Sequence, residues 1–475
     1  MNYIKILLLS LLFLKCSSSD SVSNGTNETR PNQNLSYSEV DLYVTNPDES
    51  ELFKLQPTKV PQFKENINFS ITVNPEITYQ EMDGFGFSLT GGSAMHLNNM
   101  SASARANILN ELFNKDNVGV SYLRVSIGSS DLDAEVFSYN DLPNGETDEY
   151  LTQFTIEKDQ ENLIPVLKEI IAINPDIKIM GSPWSAPTWM KINNNSIGGS
   201  LKPEYFSTYA NYFVKYIQAY KAEGITIDAI TVQNEPYHDG NNPSMYMEPI
   251  DQALFVKAHL GPAFEAENIQ TKIVIWDHNA DNTWYATSIL DDVDANKYID
   301  GSAFHLYNGS INNLSIVHNT FPNKNLYFTE QWVGVNSEFE DNLLWHTREL
   351  IVGATRNWCK TVLEWNLVSN SKLEPHTPGG CTECLGGITI DGDNVQRNVG
   401  YYIIAHASKF VRPGSRRISS NYSDELPNVV FKTPTGKIVV IVVNNTEIDK
   451  SFNIKTPGES ISTSLKGGAV GTYVW

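Results

Sequence analysis

Two glutamates occupy the same kind of place in this 475-residue sequence: Glu235 in Thr231-Val-Gln-Asn-Glu-Pro-Tyr-His238 and Glu330 in Lys324-Asn-Leu-Tyr-Phe-Thr-Glu-Gln-Trp332. In both, residues that alternate in the way of a buried strand give way abruptly to a carboxylate with amide and aromatic neighbours. Side chains at the carboxyl ends of parallel strands face the place where α/β proteins bind ligands. Asn234, Glu235 and Glu330 would stand there. Two carboxylates across one cleft suit glycoside hydrolysis, one as acid and base, the other as nucleophile or as base for water. A short separation implies retention of configuration, a long one inversion. A single strand-end glutamate is as often an ion pair or a cap; the two together, in the surroundings below, favour catalysis.

Those surroundings are consistent with it. Arg124 sits in a strand-like stretch, where a buried guanidinium is costly unless a carboxylate pairs with it. Such a pair is structural, and it would also position a nucleophile. Asp131, in Ser129-Ser-Asp131, offers acceptors to sugar hydroxyls or caps its own loop. Trp184, in Ser182-Pro-Trp-Ser-Ala-Pro-Thr-Trp189, presents a flat apolar face to the C–H surface of a sugar, while Trp189 reads as loop packing. His305 and Tyr307 end another strand. Tyr307 would hydrogen-bond Glu330, and His305 would be a site residue or a satisfied core imidazole. Trp365 would floor the pocket.

Other chemistries find little footing. No two histidines have the i, i+4 spacing of a helical metal site, and the sequence has no Gly-x-Ser-x-Gly elbow and no phosphate-binding glycine loop. No metal or cofactor is expected. The net charge of −21 argues against nucleic acid and anionic membrane as partners. Cys381-Thr-Glu-Cys384 reads as a small loop disulfide in an oxidising compartment, or as half of a zinc site lacking its second pair. Cys359, in an apolar segment, reads as a buried thiol.

The amino terminus carries an address. Lys5 precedes an apolar run at 6–14 that ends at Lys15-Cys16-Ser-Ser, too short to span a bilayer. It resembles a bacterial lipoprotein signal, in which Cys16 becomes the lipidated first residue; plain secretion is the alternative. Residues 17–39, rich in Ser, Asn and Thr, read as a disordered tether. The protein would thus be exported, to the periplasm or outer membrane, with the lipid on Cys16 as its one membrane contact.

The elements that must position these side chains follow a regular order. Strand patterns at 80–88, 122–127, 178–181, 229–233, 272–276, 302–306, 325–329 and 361–365 alternate for the most part with helical ones at 101–113, 161–173, 203–223, 249–266, 283–290, 338–357 and 395–408. Eight strands so separated predict a (β/α)₈ barrel over 78–408 rather than an open doubly wound sheet. Beyond 409 only strands appear, at 429–431, 438–444, 451–454 and 471–474. They predict a small β-sandwich over 409–475, completed by the early strands of 40–77, which need partners.

Several motifs along the barrel resemble those of glycoside hydrolase family 30, in the branch of the glucosylceramidases and β-1,6-glucanases. They are Met82-Asp-Gly-Phe-Gly-Phe-Ser88, Leu123-Arg-Val125 with Ser130-Asp131, Ser182-Pro-Trp-Ser-Ala-Pro-Thr-Trp-Met-Lys191, Gln233-Asn-Glu-Pro236, Phe328-Thr-Glu330, Glu364-Trp-Asn366 and Ser408-Lys-Phe-Val-Arg-Pro-Gly-Ser-Arg416. The resemblance implies a barrel fused to a sandwich built from both chain ends. It also implies a retaining mechanism, with Glu235 as acid and base, Glu330 as nucleophile and Asn234 on the sugar 2-hydroxyl. Arg124, His305 and Tyr307 would hold the charge of Glu330, and that charge would raise the pKa of Glu235. The segment 376–387 would wall the pocket, as in glucanase-like members. The expected substrate is a β-1,6-linked glucan or the β-1,6 branches of a laminarin-type glucan. Glucosylceramidase or broad β-glucosidase activity is the alternative, and a non-catalytic surface glycan-binding protein is the alternative of a different class.

Overall fold

The computed structural model describes residues 39–59 and 69–475. The expected signal and, apart from Glu39, the expected tether lie outside the described residues. Eight parallel strands close a barrel. They are β1 (Gly84–Ser88), β2 (Tyr122–Ser126), β3 (Lys178–Ser182), β4 (Ala229–Thr231), β5 (Lys272–Asn279), β6 (Ile299–His305), β7 (Asn325–Glu330) and β8 (Cys359–Asn366). β8 pairs with β1 to shut it.

Inward side chains form layers, because alternate residues of a strand face one side. One layer is apolar: Tyr122, Met180, Ala229, Val274, Ala303, Tyr327 and Leu363 make a single buried cluster. Two positions further along the same strands come Arg124, Ser182, Thr231, His305, Thr329 and Trp365, all buried. The plug therefore turns polar at the carboxyl end of the barrel. β5 breaks the count. Trp276 and Asp277 have φ of 69° and 65°, and the pairing with β6 changes register between Trp276 and His278. Trp276, two positions on from Val274, packs instead on the rings of Tyr237 and Tyr285. Asp277 takes the inward place.

The chain ends form a nine-stranded sheet in the order Lys54–Leu55, Asp41–Thr45, Val470–Val474, Ile438–Val443, Asn428–Lys432, Arg416–Ser420, Ser70–Glu81, Lys450–Thr456, Glu459–Leu465. Ser70–Glu81 changes partner along its length: its start pairs parallel with Lys450–Thr456 and the rest antiparallel with Arg416–Ser420. Leu42, Val440, Phe452 and Ile461, from opposite ends of the order, share one core. The two halves thus face each other as a sandwich. Ile438–Val443 is apolar throughout because both faces are covered. Val440 and Val442 belong to the sandwich core, and Val439, Ile441 and Val443 to the barrel's. A polar tie crosses the same seam. His406, on the barrel helix Val399–Ser408, lies 2.8 Å from both Thr45 Oγ1 and Thr472 Oγ1.

The boundaries differ from the sequence reading in two places. Residues 80 and 81, expected in the first barrel strand, belong to the sandwich strand Ser70–Glu81, so the barrel sheet starts at Gly84 rather than near 78. Gly84, with φ 147°, lets the chain swing from one sheet to the other. The helix expected from 395 starts at Val399, because Asn394–Arg397 pairs with Ile388–Asp391 as a hairpin.

Candidate active site

A cavity of about 360 Å³ opens at the carboxyl end of the barrel. Asp131, Trp184, Glu235, Tyr307, Glu330 and Trp365 line it, with Trp332 and part of the 379–384 loop as a wall. One carboxylate oxygen of Glu235, one of Glu330 and a nitrogen of His305 all lie within 4.8 Å of one another. Both glutamates close short or irregular strand ends. Glu235 has φ 45°, a conformation non-glycine residues adopt at a cost, and its N–H is held by the Asp277 carbonyl at 3.0 Å.

Glu330 is gripped from two sides. Arg124 Nη1 donates to its Oε2 at 2.6 Å and Tyr307 OH to its Oε1 at 2.9 Å. Arg124 Nη2 also donates to Asn234 Oδ1 at 2.6 Å and to Asp277 Oδ2 at 2.9 Å. With its carbonyl oxygen so engaged, Asn234 keeps its NH₂ free to donate. Asp277 is the hub of the layer. It accepts from Ser182 at 2.8 Å, Thr231 at 2.6 Å and Thr329 at 2.7 Å, and faces His305 Nε2 at 3.1 Å. Burial alone would raise its carboxyl, but the Arg124 charge and the His305 and Thr231 hydrogen bonds hold it far below the usual range.

His305 sets the protonation of the pair. Burial pushes its imidazole down, but the charge of Glu330 and hydrogen bonds to Asp277 and Glu235 prevail, and its pKa is pushed up to about 10. The ring is therefore a cation, with Nδ1 3.1 Å from Glu235 Oε1 and 3.7 Å from Glu330 Oε1. Burial raises Glu235, yet the His305 hydrogen bond and charge, helped by His278 and His238, carry it below its ordinary value. Glu330 moves up: burial raises it, with Glu235 and Asp277 adding to the rise, against the pull of His305 and Arg124. This corrects the expectation that Glu330 would raise Glu235 and that the groups around Glu330 would hold it low. An imidazolium sits between the two carboxylates and answers first to Glu235.

The sugar side is aromatic. The Trp184 and Trp365 rings lie 5.3 Å apart at 32°, and the Arg124 guanidinium is 4.8 Å from the Trp184 ring. Asp131 Oδ2 accepts the Cys381 N–H at 3.1 Å. Burial, and then the charge of Glu330, push its pKa up to about 6. Cys381 and Cys384 are joined by a disulfide that packs with Trp184, Trp365 and Leu132. That bond removes the zinc reading. Cys359 is a buried free thiol, and Trp189 is packed away with its Nε1 on Asn140.

Asp131, Trp184, Glu235, Tyr307, Glu330 and Trp365 thus come together around the cavity. His305 does not join them: expected to contact substrate, it is fully buried behind the carboxylates and does not line the cavity. Asn234 likewise lies just behind the wall. Asp277, His278 and Trp332 carry no expectation from the sequence. Glu235, His305 and Glu330 are the three groups whose spacing would suit a metal ion. Both His305 nitrogens and both Glu330 oxygens already have protein partners, and the fixed charge of Arg124 opposes a cation.

Comparison with known proteins gives the same architecture. The glycosyl hydrolase family 30 TIM-barrel domain matches residues 82–411 and the family 30 beta sandwich domain residues 414–473. An endo-1,6-beta-D-glucanase of Aspergillus fumigatus is 33% identical over 424 residues, 83% of this chain and 85% of that one. A lysosomal acid glucosylceramidase of Mus musculus is 28% identical over 434 residues, 85% and 83% of the two chains. The solved structure of an endo-beta1,6-glucanase superposes with a TM-score of 0.85 at 35% identity, covering 92% of this chain and 99% of that one.

Proposed function

The chain belongs to glycoside hydrolase family 30, and from that premise we propose a retaining glucanase acting on β-1,6-linked glucan, with Glu330 as nucleophile and Glu235 as acid and base. One observation carries the stereochemistry: carboxylate oxygens of the two glutamates lie within 4.8 Å. Retaining enzymes space their carboxyl groups at roughly 5–5.5 Å, whereas inverting ones leave roughly 6.5–9.5 Å for a water.

Glu330 attacks the anomeric carbon while Glu235 protonates the departing oxygen, and Glu235 then takes a proton from the water that hydrolyses the ester. The first step needs Glu330 ionised and Glu235 protonated. Transfer of one proton from His305 Nδ1 to Glu235 Oε1, 3.1 Å away, supplies the acid. Neutral His305 can still donate Nε2–H to Asp277 at 3.1 Å. Arg124 and Tyr307 keep their hydrogen bonds to Glu330 and orient it for attack. Asn234, its carbonyl tied to Arg124, directs its NH₂ to the sugar 2-hydroxyl. Asp131 accepts from hydroxyls, and the two indoles take the C–H face.

The β-1,6 linkage rests on the relatives. Curated endo-1,6-beta-D-glucanases are 31% to 33% identical to this chain and the glucosylceramidase 28%. Glucosylceramide cleavage is the second reading, favoured by that last relative. Export, with Cys16 as a lipid-anchor site, is part of the same proposal: the apolar run at 6–14 supports it, as does a disulfide, which suits an oxidising compartment.

The test is a panel of β-1,6-glucan, laminarin, glucosylceramide and xylan with product analysis, run on wild type and on Glu330→Gln. Wild type should release β-configured products from β-1,6-glucan first, and Glu330→Gln should bind the glucan without cleaving it. Binding without turnover in wild type would make the protein a glycan receptor instead.

A further inference from the structure

The cavity does not end at Glu235. A second chamber of about 310 Å³ opens beside it, lined by Tyr237, His238, Trp276, His278, Asp281 and Asn282, with Asn279 at its edge. The two cavities share His238, His278 and Asn279, so they form one bent cleft. The chamber lies on the acid's side of the cleft. Tyr237 and His238 follow Glu235 directly in sequence, and His278 Nε2 is 3.8 Å from Glu235 Oε1. Neither Glu330 nor the two stacking indoles Trp184 and Trp365 line the chamber.

Direction follows from the chemistry. In double displacement the nucleophile bonds to the sugar that stays, while the acid protonates the oxygen of the group that leaves. The leaving group must therefore extend past Glu235, away from Asp131 and the indole pair. We infer that the chamber holds the leaving-group sugar, so that this chain receives an internal bond of a glucan. The inference rests on the retaining mechanism proposed above.

The lining suits a hexose. Tyr237 and Trp276 provide ring surface, and Asp281, Asn282 and His238 provide polar atoms at the mouth. His278 joins the two cavities and is a neutral imidazole, because burial pushes its pKa down to about 4. Its Nδ1 is buried and has no hydrogen-bond partner among the described residues. Buried polar groups in native sites are generally satisfied, and a hydroxyl of the leaving sugar is of the chemistry this nitrogen lacks. Burial of pyranose C–H surface with a few placed polar contacts is how such concave sites hold small ligands.

The experiment compares wild type with Asp281→Ala, which removes an acceptor, and Asp281→Trp, which fills the chamber. Both are read on 4-nitrophenyl β-glucoside, whose leaving group does not need the chamber, and on a ladder of β-1,6-linked gluco-oligosaccharides. Wild-type kcat/KM should climb as sugars are added on the leaving side. Each variant should lower the oligosaccharide value about tenfold relative to the aryl glucoside, the size of one lost hydrogen bond to a charged group. Equal losses on both substrates, or none on either, would overturn the chamber. Glucosyl transfer from the aryl glucoside to added methyl β-glucoside separates the two readings. If wild type splits no β-1,6 bond but transfer falls in the variants, the glucan assignment fails and the chamber stands. If β-1,6 hydrolysis holds and transfer is untouched by either substitution, the chamber fails and the assignment stands.

Discussion

Asp277 and Arg124 form a salt bridge of 2.9 Å with both side chains wholly shielded from water. The pair is not isolated: Asp277 also faces His305, which faces Glu235, and Arg124 also holds Glu330. One carboxylate that no substrate touches thus governs the orientation of both glutamates. Removing one partner of a buried pair leaves the other uncompensated and costs roughly 3–5 kcal/mol. Asp277→Asn should lower stability by about that much in urea titration. It should also shift the pH–rate profile, because the group that keeps the His305 proton in place has lost its charge. A drop in stability with an unmoved pH profile would make Asp277 a strut only.

Why Asp277 escapes a reading of the sequence is a matter of counting. Inward positions on β2, β3, β4, β6, β7 and β8 follow from a period of two, and the polar layer from Arg124 to Trp365 is legible for that reason. On β5 the same count lands on Trp276. The two successive positive-φ residues there shift the parity by one, and nothing in Trp276-Asp277-His278 announces it. The seam is legible where both faces of a strand are apolar, as in Ile438–Val443. The start of the barrel is not, since Gln80 and Glu81 continue the alternation of the sandwich strand right up to Gly84. Glu235 and Glu330 stand out because polarity changes sharply at a strand end. The protonation order of that pair depends on an imidazole seventy positions from one and twenty-five from the other.

Removing the acid and base should split the two steps. Glu235→Ala should lose roughly 10²–10⁴-fold in kcat on substrates with a poor leaving group, the range of general acid–base catalysis. With an activated aryl glucoside the first step needs little acid help, and the covalent intermediate should accumulate. Azide, small enough for the space left by the side chain, should then restore turnover and give a glycosyl azide of the same configuration as the substrate. An azide product of opposite configuration would mean direct displacement.

Asp131 should give KM a pH dependence of its own. Burial and Glu330 push its pKa up to about 6, so the free enzyme keeps that proton until the pH passes about 6. The ionised, stronger acceptor is present only above. KM should therefore rise as the pH falls through about 6. Asp131→Asn should show a KM about tenfold higher, in keeping with one lost charged hydrogen bond, and no such inflection. Titration of KM for wild type and variant between pH 4 and 8 decides it.

His406 should make the seam between barrel and sandwich sensitive to acid. It lies between Thr45 and Thr472, fully buried, and burial pushes its pKa down to about 3. In the unfolded chain the ring titrates near its ordinary value of about 6.5. Between those values the unfolded state binds a proton that the folded state refuses, so stability falls as pH falls. The slope this group adds is at most about 1.4 kcal/mol per pH unit, and it vanishes above about 6.5. Carboxylates held low, Asp277 foremost, lose their contribution only in stronger acid, so the range from 6.5 to 4 isolates the imidazole. His406→Gln keeps a hydrogen-bonding side chain between the two threonines and cannot titrate. Its stability at pH 7 should be somewhat below wild type, and its loss on going to pH 4.5 clearly smaller. Parallel stability curves for the two proteins across that range would show that the seam's acid sensitivity lies elsewhere.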